Sequence, residues 1–303
     1  MSEIFVPESE HIFKAQDRHP DPDTEQTPDT QKEVKKVVHP DLKATFFRHG
    51  RPTYSREELI SGQMEGELSE ESQKQVEASA KLLADQIDKK RELVVMWSSP
   101  KNRAVQTSQI VRRVFEEKGV PFLRKKTGEV RPTKKLEMIR DFETAGDEKG
   151  SPFWDKLIEI QGEDVLLPSG KKMGIANWQE SLHVLSQTEG FEDLQAEHPD
   201  HIRKRAMSIL AHLEFIARKM EPPEGKTLRF IVFGHEEIVT PLLQEALGQG
   251  VESGTGPTYA EPLTIGIHPA KEGEQALVDL QFREQRVSLG FDPQSRNIHK
   301  TSS

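Results

Sequence analysis

The chain of 303 residues contains no cysteine. Disulfides, thiolate nucleophiles and cysteine-ligated zinc are thereby excluded, while the redox compartment is left open. Long hydrophobic runs are also missing: the longest span about five residues, as in Leu93–Trp97, against the roughly 20 that cross a bilayer. The opening stretch MSEIFVPESEHIFK has neither a basic n-region nor an apolar h-region, so no secretory signal is read there. The expectation is a soluble, cytoplasmic protein. Positive charge is in deficit, with 42 Lys+Arg against 51 Asp+Glu and a net charge of −9. That balance speaks against a general nucleic-acid binder, which presents a basic face, but it leaves room for a small basic pocket. Hydrophobic residues make up 34% and charged residues 31%, so a core must be concentrated in part of the chain.

Residues 1–40 are rich in Pro, Asp, Thr and Lys without a repeating apolar face, the composition of a disordered tail. Residues 291–303 read as a second flexible tail. Between them, strand-like and helix-like segments alternate. Lys43–Phe47, Leu93–Trp97 and Leu228–Phe233 are apolar strand candidates, and Leu263–His268 and Ala276–Phe282 read as closing strands joined by a Gly-containing turn. Val76, Ala80, Leu83 and Ile87 form one helical stripe behind the N-cap candidate Ser69. Ile110, Val111, Val114 and Phe115 form another, and Ile202 to Ala217 a third within 200–220. Ile238 to Ala246 follow the same spacing. This pattern predicts an α/β fold: a three-layer sandwich whose mainly parallel central sheet is flanked by helices. Residues 145–199 are less regular and read as a middle insertion or cap, with a hairpin candidate at Leu167–Gly174.

Chemistry-bearing residues fall just past three strand candidates: Arg48-His49-Gly50, Arg103 and His235. In open α/β sheets the ligand crevice lies at the carboxyl ends of the strands, so the fold would gather them at one edge. Their types suit phosphoryl transfer. A neutral imidazole is a competent nucleophile, and guanidinium forks match phosphate oxygens. Gly50 would let the backbone approach a ligand, and a second histidine would add a hydrogen bond to the transferring group. The two arginines supply the positive charge without a metal or other cofactor.

With these residues in place, FFRHGRP (Phe46–Pro52) resembles the signature of the histidine phosphatase superfamily, which includes the cofactor-dependent phosphoglycerate mutases. Three further blocks are similar to that family in the same order: Gly66–Gln86, Trp97–Val111 and Phe233–Leu247. The resemblance covers roughly residues 42–290, with a diverged middle, and implies a phosphoglycerate mutase-like fold. It implies His49 as the residue that becomes phosphohistidine, Arg48 and Arg103 as holders of the phosphoryl oxygens, and His235 as the group completing the pocket. Gly50, Arg51 and Thr53, within and beside the signature, are expected at the substrate. The family also uses a carboxylic acid to protonate the leaving oxygen and activate water. Aligning Ile139-Arg140-Asp141 with its Leu-x-Glu pattern makes Asp141 the first candidate. Glu236, directly after His235, is the second, and Glu137 and Glu143 are neighbours in other registers.

The resemblance implies a metal-independent phosphomonoester hydrolase acting on a small phosphorylated substrate or a phosphoprotein. A phosphoglycerate-type mutase is the alternative, disfavoured because Arg51-Pro52-Thr53-Tyr54-Ser55 lacks the Trp-Asn pair that family mutases carry after the signature. A non-catalytic phosphate-binding pocket is the remaining reading. Other features carry less. His198-Pro199-Asp200-His201 lacks a third metal ligand, His235-Glu236-Glu237 is not HExxH, and Gly248–Pro257 lacks Gly-Lys-Ser/Thr. Trp154 and Trp178 are expected to pack within the cap. The natural substrate and the oligomeric state are left open.

Overall fold

The structure is a computed structural model that describes residues 42–53, 66–142, 144, 151–223, 225–252, 254–271 and 274–301. The N-terminal tail, Glu143 and the start of the cap lie outside the described residues.

The sheet is built on β1 (Leu42–Arg48), β4 (Glu92–Ser98), β5 (Lys134–Lys135) and β6 (Thr227–Gly234), which run parallel in the order β1-β6-β4-β5. β7 (Pro262–His268), β8 (Ala276–Phe282), β9 (Gln285–Asp292) and β10 (Asn297–Lys300) extend it antiparallel from the free side of β1. The α/β sandwich expected from the pattern is present, and its sheet is mixed: the parallel half holds the chemistry and the antiparallel half closes the fold. A short ribbon, β2 (Pro52–Thr53) with β3 (Glu67–Leu68), stands apart.

Period-two burial makes the layers. In β1, Ala44 and Phe46 enter one core while Phe47 enters the other. On Phe47's side pack α1 (Glu70–Gln86), through Val76, Ala80 and Leu83, and α2 (Asn102–Glu117), through Val111, Val114 and Phe115. Ser69 caps α1 by accepting from the Ser72 amide at 3.1 Å, as its residue type predicts. On the other face pack α5 (Pro199–Lys219) and α6 (Glu236–Leu247). α3 (Pro152–Gln161) and α4 (Trp178–Leu185) belong to the cap, whose core joins Phe153, Leu157, Leu182 and Phe191. Leu167 donates to the Lys171 carbonyl and Met173 to that of Val165, so the candidate hairpin is formed.

The C-terminal expectation is corrected. Residues 291–303 were read as a flexible tail, yet Phe291 and Asp292 complete β9 and Asn297–Lys300 form an edge strand paired to it. Phe291 and Ile298 are buried, and Asp292 holds the turn by accepting from the Gln294 amide at 2.9 Å and the Ser295 hydroxyl at 2.7 Å. An edge strand with one buried face needs few apolar residues, which is why composition missed it. Among the described residues, no helix is long and apolar enough to cross a membrane.

Candidate active site

Three neighbouring parallel strands end level with one another. Arg48 pairs with Gly234, and Ser98 with Phe233. Past those ends the chain is still tied across: the His49 amide donates to the Gly234 carbonyl at 3.0 Å and the Ser99 amide to that of Phe233 at 2.8 Å. His49, Ser99 and His235 therefore leave the sheet at one edge, and Arg103 reaches it from the first turn of α2. β5 delivers a fourth segment. It pairs with the end of β4, the Leu136 amide donates to the Ser98 carbonyl at 2.9 Å, and a 3-10 turn, Glu137–Ile139, leads to Asp141.

His49, Arg103 and His235 are buried, and the two imidazole rings meet edge to face with centroids 4.9 Å apart. His49 Nδ1–H donates to the Gly50 carbonyl at 2.7 Å, which leaves Nε2 without a proton. Arg103 Nε–H points at that nitrogen from 3.3 Å. Burial, followed by the charge of Arg103, lowers the His49 pKa to about 3, so the ring is neutral at physiological pH. His235 is also pushed well below its ordinary value, by burial and then by His49 and Arg103. Its Nε2 lies 2.9 Å from the Ser99 hydroxyl, which itself accepts from the Lys101 amide. The Ser99 proton is then free to go to His235 Nε2, placing the ring proton on Nδ1. That nitrogen and Arg48 Nε are buried donors without a hydrogen-bond partner among the described residues. Leaving such groups unmade costs roughly 1–3 kcal/mol each, a cost an acceptor-rich ligand would relieve.

Arg48 is held from one side. Its Nη1 donates to the Pro257 carbonyl and pairs with Glu236 Oε2 at 2.8 Å, while its guanidinium lies 4.2 Å from the Tyr259 ring centre. Burial raises the Glu236 pKa to about 7, a push that outweighs the neighbouring Arg48 and is reinforced by Glu237. Asp141 lies elsewhere. Its carboxylate is bonded to Arg103 Nη2 and stands 3.6 Å from His235 Nδ1, with the side chain about a quarter exposed. Glu137 is exposed at the 3-10 turn.

Gly50 is held by packing and hydrogen bonds of its own. Its carbonyl orients His49, its amide donates to Thr107 Oγ1 at 3.0 Å, and a Cβ there would meet Ser72 Oγ at 2.6 Å and Val76 Cγ2 at 2.8 Å. Gly234 is equally constrained, since a Cβ would lie 2.7 Å from Ile139 Cγ2, two residues before Asp141. Arg51 and Thr53 are exposed, and the Thr53 hydroxyl donates to the Glu67 carbonyl within the small ribbon. The structure does not bring them into the histidine–arginine cluster. Trp154 and Trp178 pack edge to face at 5.8 Å, both beside Phe142, as cap residues. Sequence reasoning did not single out Tyr259, Thr107, Glu237 or Arg205. Ser99 lies inside the Trp97–Val111 block, but only its bond to His235 marks it out.

Among the described residues, Asp141, His235 and Glu237 are close enough to share a cation. Their oxygens are already engaged: Asp141 with Arg103, and Glu237 Oε1 with the Phe142 amide at 2.8 Å.

Residues 44–123 match the model of the histidine phosphatase superfamily (branch 1). No curated protein matches the chain. A phosphoglycerate mutase from Bacillus anthracis str. Sterne has a similar structure at 16% identity, covering 76% of this chain and 89% of that one with a TM-score of 0.50. A mycobacterial glucosyl-3-phosphoglycerate phosphatase is 15% identical over 79% of this chain and 97% of its own, at 0.49. A putative α-ribazole-5'-P phosphatase from Escherichia coli is 11% identical over 74% and 90%, at 0.43. The family resemblance carried by the sequence motifs stands, and the fold is phosphoglycerate mutase-like.

Proposed function

We propose that the protein is a metal-independent phosphomonoester hydrolase working through a phosphohistidine on His49. The observation that carries the reading is the state of that ring. Its Nδ1 proton is committed to Gly50, its Nε2 is bare, and the unsatisfied donors Arg48 Nε and His235 Nδ1 lie in the same cluster.

In this mechanism His49 Nε2 attacks phosphorus in line with the departing alcohol. Arg48, Arg103 and His235 Nδ1–H hold the non-bridging oxygens, where charge must be stabilised in the transition state. Asp141 protonates the leaving oxygen and then takes a proton from the water that releases phosphate from His49. Asp141 is chosen over Glu236 because it touches Arg103 and faces His235, the groups that flank the nucleophile. Glu236 serves as the partner that holds Arg48 in place.

The test is turnover of an aryl phosphate in EDTA. His49→Ala is expected to abolish it, and Asp141→Asn to slow kcat/KM on an alkyl phosphate, whose leaving oxygen needs a proton, at least about 100-fold, the usual worth of a positioned acid. Glu236→Gln is expected to act mainly on KM. Full activity in His49→Ala would end the proposal, and a loss confined to Glu236→Gln would move the acid role there. Phosphate binding without turnover would favour a recognition pocket, and bisphosphate-primed interconversion of phosphoglycerates would favour a mutase.

A further inference from the structure

A general acid that later serves as a base must stay within a fraction of an ångström of its productive position. Asp141 sits on a segment that is neither helix nor strand, just past the 3-10 turn. Its place is set by side chains from other elements. Arg205, from α5, donates through Nη1 to the Arg140 carbonyl at 2.9 Å and through Nη2 to the Asp141 carbonyl at 3.4 Å. The other edge of the same guanidinium pairs with Glu197, Nε with Oε1 at 2.8 Å and Nη2 with Oε2 at 2.6 Å. Both side chains are largely buried, at 12% and 7% exposure, so this pair is shielded from the solvent screening that weakens surface ion pairs.

The neighbouring contacts point the same way. Glu237 takes the Phe142 amide, and the Phe142 ring lies 5.4 Å from Phe153 and 5.0 Å from Trp178 in the cap. Thr144 bridges to Ala196, directly before Glu197. The acid segment is thus moored to the cap on one side and to α5 and α6 on the other.

We propose that Arg205, braced by Glu197, is the positioning residue that aims Asp141 at the leaving oxygen, which makes the cap part of the acid's alignment. The inference rests on the phosphohydrolase reading above. A planar fork can span two successive carbonyls while its far edge holds a carboxylate; an ammonium cannot do both.

The experiment measures kcat/KM, which reports the phosphorylation step alone, for a series of phosphomonoesters from activated aryl to alkyl leaving groups. An activated aryl oxide leaves without a proton, so Arg205→Gln should hold its kcat/KM within about 3-fold while alkyl esters fall about 10- to 100-fold. Arg205→Lys should behave like Arg205→Gln, and Glu197→Gln, the milder variant should Arg205 changes prevent folding, should show a smaller loss of the same shape. In Asp141→Asn the Arg205 change should add nothing further on alkyl esters, because both act on one proton transfer. Equal slowing across the series, or losses that multiply in the double variant, would overturn the inference while leaving the phosphohydrolase intact. No turnover of any ester by the parent protein, or full activity in His49→Ala, would instead sink the phosphohydrolase reading and this one with it.

Discussion

A histidine that attacks phosphorus must arrive unprotonated, and His49 is kept so by a carbonyl on one nitrogen, a guanidinium at the other and burial around both. Glu236 shows the opposite response to the same burial: its charged form is the one disfavoured. That difference is measurable as stability. An unfolded Glu236 ionises near 4.5 and the native one near 7, so between those values the native state holds the extra proton and stability falls as pH rises. The size is roughly 3 kcal/mol across the window, at about 1.4 kcal/mol per unit. Glu236→Gln has no such dependence. Urea unfolding of both proteins from pH 4.5 to 7 should show the variant gaining on the parent and the gain levelling off above 7; a constant difference would contradict it. His49 and His235, whose depressed values make stability rise with pH up to about 6.5, are present in both proteins and cancel.

At the scale of elements, what the sequence made legible followed from burial. β1, β4 and β6 are buried on both faces and read as apolar runs, and the helices beside them show clear stripes. Arg48, His49 and His235 are legible as candidates because they follow those runs directly, and Arg103 because it opens the helix after one of them. Asp141 is a candidate by register alone, on a segment whose Ile139 packs beneath Gly234. β9 and β10 were not legible, because strands with one face in solvent carry Gln, Arg, Ser, Asn and Lys among few apolar residues. Their contribution can be tested. Ending the chain before Asn297 removes the buried Ile298 and the pairing that covers β9, which should cost about 2 kcal/mol in urea unfolding. The proposed phosphatase activity should survive below the unfolding transition, since β7, β8 and β9 stand between β10 and β1, which leads into His49. An unchanged unfolding midpoint would contradict the packing assigned to that edge.

For the whole molecule, the end of β1 in the parallel half of the sheet carries Arg48 and His49, and the first turn of α2 brings Arg103 beside them. The segment after β5 supplies the carboxylate, and the cap holds that segment from outside. The Arg205–Glu197 brace was invisible in the sequence because it joins side chains to backbone carbonyls some 65 positions away, with no periodicity to mark it. Tyr259 and Pro257, which steady Arg48, were likewise hidden in a stretch that reads as an ordinary loop. The central claim is covalent, and its most direct measurement is rapid acid-free quenching of the enzyme during turnover, followed by peptide mass mapping. The account predicts one acid-labile phosphoryl group on His49, accumulating in Asp141→Asn and absent from His49→Ala. A turning-over enzyme with no adduct, or with the phosphoryl group on another side chain, would contradict it.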